Sequence, residues 1–272
     1  MKTIILATDF SKNAAPASEF ALRIAMLFKC RLMILHVYEP SGQLFNFREA
    51  DEAIEDKNKV NAQRKLYRLR KHLLQQAGIP INIMVVTRSG NTLETIKTVI
   101  NEQHTDLLVM GTAGAKSPGM RYFGSQATEM ILKTNVPLLL VPPKIHFTPF
   151  KNIVVAIDLA KPVDACALDN VIRFSKAFEA ILNIICVNED PSDPKIKEAA
   201  EHIRNLIQTI PHTMSISPGH HSKATILKFA EDNEADLLMM LPQSHNALLY
   251  SVLESHTQEM ARLSDIPVLA VV

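Results

Sequence analysis

The feature that most constrains the fold of this chain is an internal duplication. Four short segments of the first half return in the same order in the second half, at offsets of 130 to 150 residues. They are residues 2–9 (KTIILATD) and 151–158 (KNIVVAID), 35–37 and 185–187, 106–110 (DLLVM) and 236–240 (DLLMM), and 136–141 (VPLLLV) and 266–271 (IPVLAV). Four ordered matches indicate two copies of one unit. The boundary is predicted near residues 142–145, giving domains 1–145 and 146–272.

Each copy alternates short β-rich segments with longer helical patterns, which is typical of βαβ units around a parallel sheet. In the first copy the patterns predict strands at residues 3–9, 31–38, 81–87, 106–111 and 137–142, and helices at 15–29, 51–77, 92–103 and 125–134. The repeat offset falls from 150 to 130 between the second and third strands, so the helix near 195–210 should be shorter. The predicted class is α/β, with two tandem five-stranded parallel sheets, doubly wound with helices on both faces.

The last predicted strand of each copy, residues 137–141 and 267–271, is apolar and ends its unit. An exposed apolar edge strand invites pairing with other chains. We therefore expect the two copies to pair through these strands and to form a pseudo-dimer within one chain. Further association into a homo-oligomer stays open.

Composition narrows the functional class. A formal net charge of +1 gives no electrostatic argument for a nucleic acid or an anionic membrane as partner, and the basic run at residues 64–71 is interpreted as a solvated helix face. No apolar run is long enough to cross a bilayer, and the first residues enter a strand pattern without a signal-peptide cleavage site. The three cysteines have no metal or redox spacing. Together these observations favour a cytoplasmic protein.

Half of the eight glycines lie in one segment that joins the fourth predicted strand to the helix at 125–134: Gly111, Gly114, Gly119 and Gly124. A strand-to-helix junction exposes free backbone N–H groups and the positive end of a helix dipole, and both suit a phosphate. The segment is neither a P-loop nor a GxGxxG motif. From spacing alone, a phosphate-binding loop and a plain long turn are equally open.

The spacing G-x2-G-x9-G-S, after the fourth of five parallel strands, resembles the nucleotide-binding signature of the universal stress protein family. The resemblance in fold covers nearly the whole chain as a tandem pair, whereas the nucleotide motif covers the first copy alone. It implies that the Asp after strand one lies by the ribose and adenine of ATP, that the end of strand two contacts the adenine edge, and that the glycine segment and its Ser hold the phosphates, often with a divalent metal. Carried over residue by residue, the implied site comprises Asp9, Val37, Met110, Gly111, Gly114, Gly124, Ser125 and Gln126, with ATP as ligand and Mg or Mn as the candidate metal.

Two of these assignments have a plainer alternative. Asp9 could serve as the N-cap of a helix predicted to begin near Ser11, and that role alone would explain an aspartate there. Within the glycine segment, Lys116 and Arg121 could add positive charge beside the phosphates, but ordinary solvent-exposed polarity is the favoured interpretation.

The second copy departs from the signature. Leu241, Ser244, Glu254 and Ser255 stand where the first copy has the three glycines and the serine. Their side chains would block the approach of a phosphate to the backbone, and the Glu254 carboxylate would repel it. Asp158, the counterpart of the first-strand aspartate, is explained by helix capping alone. We expect a degenerate domain that is a structural or sensing partner.

The second copy also contains a group of histidines: His212, His220, His221, His245 and His256. Neighbouring histidines can bind zinc. However, no cysteine or carboxylate accompanies them at ligand spacing, and they span several predicted elements. A solvated loop is the favoured interpretation, so no protein-bound metal is predicted.

Three functions remain open. The first is a stress-response regulator whose ATP-bound state biases the binding of partners. The second is a slow ATPase or phosphotransferase at the same site; because no general base stands out beside the glycine segment, enzymatic activity is uncertain and less favoured. The third is a nucleotide-free scaffold that binds another small ligand.

Overall fold

The computed structural model describes residues 1–38, 48–112, 125–219, 223–241 and 256–271, with the backbone alone at 48–56, 125 and 256. The chain divides into two compact units, Met1–Phe147 and Thr148–Val272. Among the described residues each unit contains five parallel strands accompanied by helices, which confirms the predicted tandem α/β class. No helix in the described part of the chain has the length and apolar character needed to cross a membrane.

In the first unit the strands follow the order β3-β2-β1-β4-β5 across the sheet, and neighbours are parallel. The strands are β1 (Thr3–Ala7), β2 (Arg31–Tyr38), β3 (Ile83–Ser89), β4 (Leu107–Gly111) and β5 (Leu138–Val141). The helices are α1 (Ala15–Leu27), α2 (Arg48–Ala77), α3 (Thr92–Glu102) and α4 (Ser125–Lys133), and a 3-10 turn at Lys12–Ala14 precedes α1. The predicted helix at 15–29 ends two residues early because Lys29 has a left-handed backbone, with φ of 50°.

The second unit repeats this plan with the strand order β10-β9-β6-β7-β8, again with parallel neighbours. Its strands are β6 (Asn152–Ala156), β7 (Ile181–Asn188), β8 (His212–Pro218), β9 (Leu237–Met240) and β10 (Val268–Ala270). Its helices are α5 (Ala165–Phe178), α6 (Pro194–Leu206), α7 (Lys223–Asp232) and α8 (His256–Leu263). Helix α6 has 13 residues against 30 in α2, so the expected shortening is confirmed.

Helices cover both faces of the first sheet and explain its apolar strands. Helix α1 contacts α2, and α3 contacts α4, as right-handed crossovers require for this strand order. Strand β1 lies between β2 and β4 and is buried on both sides, with Ile4, Ile5 and Leu6 fully inaccessible to solvent. A strand buried on both faces reads as a continuous apolar run, which is why this segment of the sequence does not alternate.

A single aspartate fixes the start of the central strand in each unit. The Asp106 carboxylate accepts hydrogen bonds from the backbone N–H of Lys2 at 2.6 Å and of Thr3 at 2.9 Å, while the Asp106 N–H donates to the Thr3 carbonyl at 2.9 Å. In the second unit, Asp236 accepts from the N–H groups of residues 151 and 152 at 2.8 and 2.9 Å. The aspartate that opens both DLL segments therefore joins the first and fourth strands of its unit.

The hydrogen bonds by which Asp106 and Asp236 join the first and fourth strands, here called the clamp, lead to a prediction about stability. Replacing Asp106 with Ala leaves two N–H groups at the start of β1 without their acceptor, which should lower the free energy of unfolding by about 1–3 kcal/mol. Asp236→Ala should have an effect of the same size, since its contacts are the same. Asp232→Ala, at an exposed position on α7, is the matched control. Denaturant unfolding in which all three variants match the wild type would contradict the assignment.

Candidate functional site

The strand order creates a crevice at the carboxyl edge of the first sheet. From β1 the chain passes to β2 on one side, whereas β4 pairs with β1 on the other side. Ligands of open parallel sheets bind at such a switch point, outside the carboxyl ends of the strands. A pocket of about 110 Å³ lies at this point, and its described lining is Ala7, Thr8, Asp9, Ala14, Leu35, Val37, Thr92, Ile96, Met110, Gly111, Gln126 and Ala127.

Five of the eight predicted site residues line this one pocket: Asp9, Val37, Met110, Gly111 and Gln126. They come from the ends of three strands and from the first turn of α4. Ser125 is the first residue of α4, and its side chain is not described. Gly114 and Gly124, like Lys116 and Arg121, lie outside the described residues. Their assignments stay predictions.

Asp9 belongs to the pocket but does not cap a helix. Its Oδ1 accepts a hydrogen bond from the Ser11 N–H at 2.9 Å and so closes a turn after β1. The N-cap of the 3-10 turn is Ser11, whose hydroxyl oxygen accepts from the Ala14 N–H at 3.1 Å. The capping alternative for Asp9 is therefore wrong, because Ser11 rather than Asp9 occupies the N-cap position.

Asp158 behaves in the same way. Its Oδ1 accepts from the Ala160 N–H at 2.9 Å, and its second oxygen lies 3.7 Å from the Lys161 amine. Helix α5 is capped instead by Asp164, whose Oδ1 accepts from the Ala167 N–H at 2.9 Å. Capping does not explain Asp158 either, and the two aspartates share one role in the turn after the first strand.

Gly111 is required by packing rather than by a positive φ. Its backbone is outside the left-handed region. A Cβ at this position would lie 3.0 Å from the Cα of Ala14 and 3.4 Å from the Asn13 carbonyl oxygen. The 3-10 turn thus approaches the end of β4 so closely that a side chain does not fit without a shift of backbone. This contact gives the glycine a packing role in addition to the phosphate role expected from the motif.

Helix α3 supplies a wall of the pocket whose residues are not among the predicted site residues. Thr92 and Ile96 line the pocket from its first turns. Asn91 caps the helix, with Oδ1 accepting from the N–H groups of residues 93 and 94 at 3.1 and 3.2 Å. A signal was present in the sequence, because a glycine and an Asn N-cap directly follow the third strand and so belong to the same carboxyl edge.

The chemistry of the pocket is mainly apolar. Leu35, Val37, Ile96 and Met110 form much of its wall, and Asp9 is the one ionisable group among the described lining residues. Thr8, Thr92 and Gln126 add uncharged hydrogen-bonding groups. Such a pocket suits a flat, weakly polar body whose edges carry a few donors and acceptors.

His36 lies on the other face of the same strand, since its neighbours 35 and 37 line the pocket and side chains alternate along a strand. Its Nδ1 is 2.7 Å from the Thr8 carbonyl oxygen, and its ring centroid is 4.5 Å from that of Phe10. The Lys65 amine of α2 lies 5.6 Å from the Phe10 centroid. Phe10 has a φ of 62°, so this cluster holds a bulky residue in a left-handed conformation beside Asp9.

The surroundings keep this imidazole neutral. Burial lowers the pKa of His36 below its ordinary value; the hydrogen bond to Thr8 opposes that shift, the Lys65 charge adds to it and the Asp9 charge opposes it. In the neutral ring, Nδ1–H donates to the Thr8 carbonyl. In the sequence His36 is simply one residue of a strand segment that recurs in the second copy. The sequence therefore does not indicate its hydrogen bond to Thr8.

In the second unit, the position of Gly111 is occupied by Leu241, at the end of the described segment after β9. Ser244, Glu254, Ser255, and three of the histidines (His220, His221 and His245) lie outside the described residues. Across the first turns of α7 and α8, Lys223 and Glu259 form an ion pair. Within the described part of the chain, no group of three His, Cys, Asp or Glu side chains is placed to bind a metal.

A pH dependence follows from the environment of His36. Because its pKa is lower folded than unfolded, the unfolded state takes up a proton first as the pH falls below 6.5. The free energy of unfolding should therefore decline from that pH downwards, until the folded-state pKa is passed. His36→Gln removes this contribution, so the wild type should lose more stability than the variant between pH 8 and pH 5. Parallel curves for the two proteins in denaturant titrations would refute this.

Comparison with known proteins agrees with the geometry. The sequence model of the Universal stress protein family matches residues 1–142 and again 149–272. A universal stress protein of Thermus aquaticus, encoded in the QAH/OAS sulfhydrylase 3′ region, is 30% identical over 140 residues, which cover 52% of this chain and 98% of that protein. Universal stress protein Slr1230 of Synechocystis is 23% identical over 295 residues, covering 99% of each chain.

Similarity in fold extends over the whole chain. The crystal structure of a universal stress protein from Archaeoglobus fulgidus covers 99% of this chain and 95% of its own, with a TM-score of 0.74 and 18% sequence identity. Because the family's sequence pattern matches both halves of the chain, and both halves have the same strand order, this protein belongs to the universal stress protein family as a tandem of two family domains.

Proposed function

We propose that the protein is a stress-response regulator whose first domain binds ATP in the pocket at the switch point, and whose second domain is a partner that does not bind it. The observation that carries this proposal is the convergence of Asp9, Val37, Met110, Gly111 and Gln126 on one pocket. The resemblance to the family assigns all five to one nucleotide site, and all five line the same cavity.

The adenosine part of ATP suits the described lining. Adenine is flat and weakly polar, and the walls formed by Leu35, Val37 and Ile96 are apolar. The Asp9 carboxylate is an acceptor for a ribose hydroxyl, and its Oδ1 is already oriented by the Ser11 N–H. Backbone groups at the end of β2 would meet the polar edge of the base.

The phosphates would lie at the N-terminus of α4. Gln126 and Ala127, from the first turn of this helix, line the pocket, so the positive end of its dipole faces the same cavity. The glycines of the motif precede that turn in sequence. Mg or Mn would be held mainly by the phosphates, because Mg²⁺ usually keeps several waters and one or two protein carboxylates. Asp9 is the one carboxylate among the described lining residues.

The lining favours binding over rapid hydrolysis. Asp9 is its one described ionisable group, and it serves the turn after β1 through the Ser11 N–H. His36, the nearest imidazole along β2, lies on the opposite face and donates to a backbone carbonyl. A hydrolase needs a group that positions or deprotonates water beside the γ-phosphate. We therefore propose that nucleotide occupancy, rather than turnover, is the regulatory state.

The second domain differs from the first at the residue that ends the fourth strand. At Gly111 the 3-10 turn comes within 3.0 Å of the point where a Cβ would lie, and the counterpart of this glycine is Leu241. A leucine at this point fills space next to the carboxyl edge of the sheet. The Lys223–Glu259 ion pair joins the first turns of α7 and α8, which are the helices that would border a pocket there. We propose that this domain contributes structure or senses a different signal.

Calorimetry of the full-length chain tests the proposal. It should give one ATP site per chain, and Gly124→Val should abolish binding, because a branched side chain occupies the space of a phosphate. Glu254→Gly in the second domain is the matched control and should leave one site, since Leu241 and Ser244 remain. Two sites per wild-type chain, or unchanged binding by Gly124→Val, would overturn the proposal.

A second experiment isolates Asp9. Asp9→Asn keeps an Oδ1 acceptor for the Ser11 N–H, so the melting temperature of the ligand-free protein should barely change. The charge and one acceptor facing the ligand are lost, which should weaken ATP binding roughly five- to a hundred-fold. Asp158→Asn makes the same change in the second domain and should alter neither quantity. If Asp9→Asn lowered stability and spared binding, Asp9 would be a structural residue.

A further inference from the structure

The turn that presents Asp9 to the pocket is held in place through the residue before it. The Thr8 N–H donates to the Leu35 carbonyl at 3.0 Å, and the Thr8 carbonyl accepts from Nδ1 of His36 at 2.7 Å. The Thr8 hydroxyl oxygen accepts from the Phe10 N–H at 3.1 Å. Three polar atoms of Thr8 are therefore engaged without a ligand, and strand β2 fixes the start of the turn through two of them.

Three side chains lie together beside this turn, and we call them the Asp9 support: Phe10, His36 and Lys65. The ring centroids of Phe10 and His36 are 4.5 Å apart, and the Lys65 amine lies over the Phe10 ring, 5.6 Å from its centroid. At that distance a cation is attracted to the face of an aromatic ring. None of the three is among the described lining residues of the pocket, so they can affect a ligand through the turn.

The support holds Phe10 in a backbone conformation that a bulky residue rarely adopts. Its φ is 62°, in the left-handed region. A non-glycine residue stays in that region only where its surroundings over-determine it, and such residues concentrate at ligand sites. An extended or right-handed Phe10 would redirect the chain directly after Asp9. The contacts of the Phe10 ring therefore influence the orientation of the Asp9 carboxylate.

The second domain has the same framework at this point but not the support. Its first strand is joined to its second by the equivalent hydrogen bond, from the Ile157 N–H to the Ile185 carbonyl at 3.0 Å. Leu159 and Cys186 stand where the first domain has the two rings. Leucine offers no aromatic face to a cation, and Leu159 is not left-handed. Helix α6, with 13 residues, replaces α2 with 30. The support therefore belongs to the domain in which ATP binding is proposed.

We propose that Lys65 and His36 are positioning residues for ligand binding, which act through Phe10 and couple helix α2 to the Asp9 turn. This inference rests on the proposed binding of ATP in the pocket. Because a left-handed Phe10 is intrinsically unfavourable, the turn has a competing conformation. Each contact of the ring increases the fraction of chains in which Asp9 is oriented for the ribose.

The coupling between helix and pocket is reciprocal. Bound ATP strengthens the contact between Lys65 and the Phe10 ring by the same factor that this contact contributes to ATP affinity. Helix α2 therefore responds to the occupancy of a pocket that Lys65 does not line.

A direct attraction between the Lys65 charge and the phosphates is the plainer explanation for any effect of this residue. It predicts an effect on ATP but none on adenosine, which carries no phosphate. Positioning of Asp9 predicts the same effect on both ligands, because the ribose is common to them. Arg64, the exposed cation next to Lys65 in α2, is outside the support and is the matched control for charge.

Calorimetry of full-length variants with ATP and with adenosine tests the coupling. Lys65→Met removes the cation but keeps an unbranched side chain. It should weaken the binding of both ligands about two- to five-fold, which is the contribution of an exposed cation–π contact. Lys65→Arg keeps a cation for the ring and should restore the wild-type affinities. Arg64→Met removes a charge from the next position of the helix and should change neither affinity.

A further variant gives the first domain the support residues of the second. Phe10→Leu combined with His36→Cys removes the ring and the donor to the Thr8 carbonyl. The second domain carries the same two residues in the same framework, at positions 159 and 186. This variant should bind both ligands at least about ten-fold more weakly, since a buried hydrogen bond is lost together with the ring contacts.

The reciprocal effect can be measured at Lys65 of the wild type. Labelling with an amine-reactive reagent, followed by mass spectrometry, should be slower at Lys65 with ATP than without it. Lys71, an exposed lysine further along α2, should be labelled at the same rate in both conditions. Labelling of Lys65 that does not respond to bound ATP would contradict the coupling.

The outcomes separate this inference from the proposed function. Variants that bind like the wild type would overturn the inference and leave ATP binding in place. So would a Lys65→Met variant that bound ATP more weakly but adenosine normally, because the effect would then be one of charge. A wild type that bound no ATP would overturn the proposed function and this inference with it.

Discussion

The close approach of the 3-10 turn to the end of β4 is the contact on which the first domain's pocket depends. At the switch point, β1 and β4 lie side by side and their chains leave in different directions. The turn after β1 runs so close to the end of β4 that a Cβ at position 111 would lie 3.0 Å from the Ala14 Cα, and Gly111 has none. The contact brings Ala14 into the pocket wall and orients the turn that presents Asp9.

The two domains share the hydrogen bonds that join their central strands, but they differ at the proposed ligand site. The clamp between the fourth and first strands is the same in both domains, through Asp106 and Asp236. The aspartate after the first strand also keeps its role in the turn. The residue at the end of the fourth strand and the length of the second helix, in contrast, differ sharply between the domains. The first of these differences falls where ligand binding is proposed, while the hydrogen bonds of the clamp and of the turn recur in both domains.

Much of the architecture could be predicted from the sequence because its signals are periodic and repeated. The tandem α/β class, the helices on both faces of the sheet and the short α6 all follow from patterns that extend over many residues. Asp9, Val37 and Gly111 could be assigned to one edge because each stands at the end of a strand. Local hydrogen bonding was harder to predict, since Asp9 and Ser11 are both good caps and only the course of the backbone decides between them.

The site features that the sequence did not predict share one cause, because each depends on which helices and strands pack against one another. Thr92 and Ile96 enter the pocket because α3 starts beside the switch point, and the role of His36 depends on Phe10 and on Lys65 of α2.

A crystal structure of the full-length protein grown with ATP and Mg²⁺ tests the central claim most directly. We expect one nucleotide per chain, with its base beside Val37, its ribose at Asp9 and its phosphates at the N-terminus of α4. The equivalent edge of the second domain, beside Leu241, should hold none. Nucleotide bound in the second domain, or a first-domain pocket left without nucleotide at saturating ATP, would contradict the proposed division of roles.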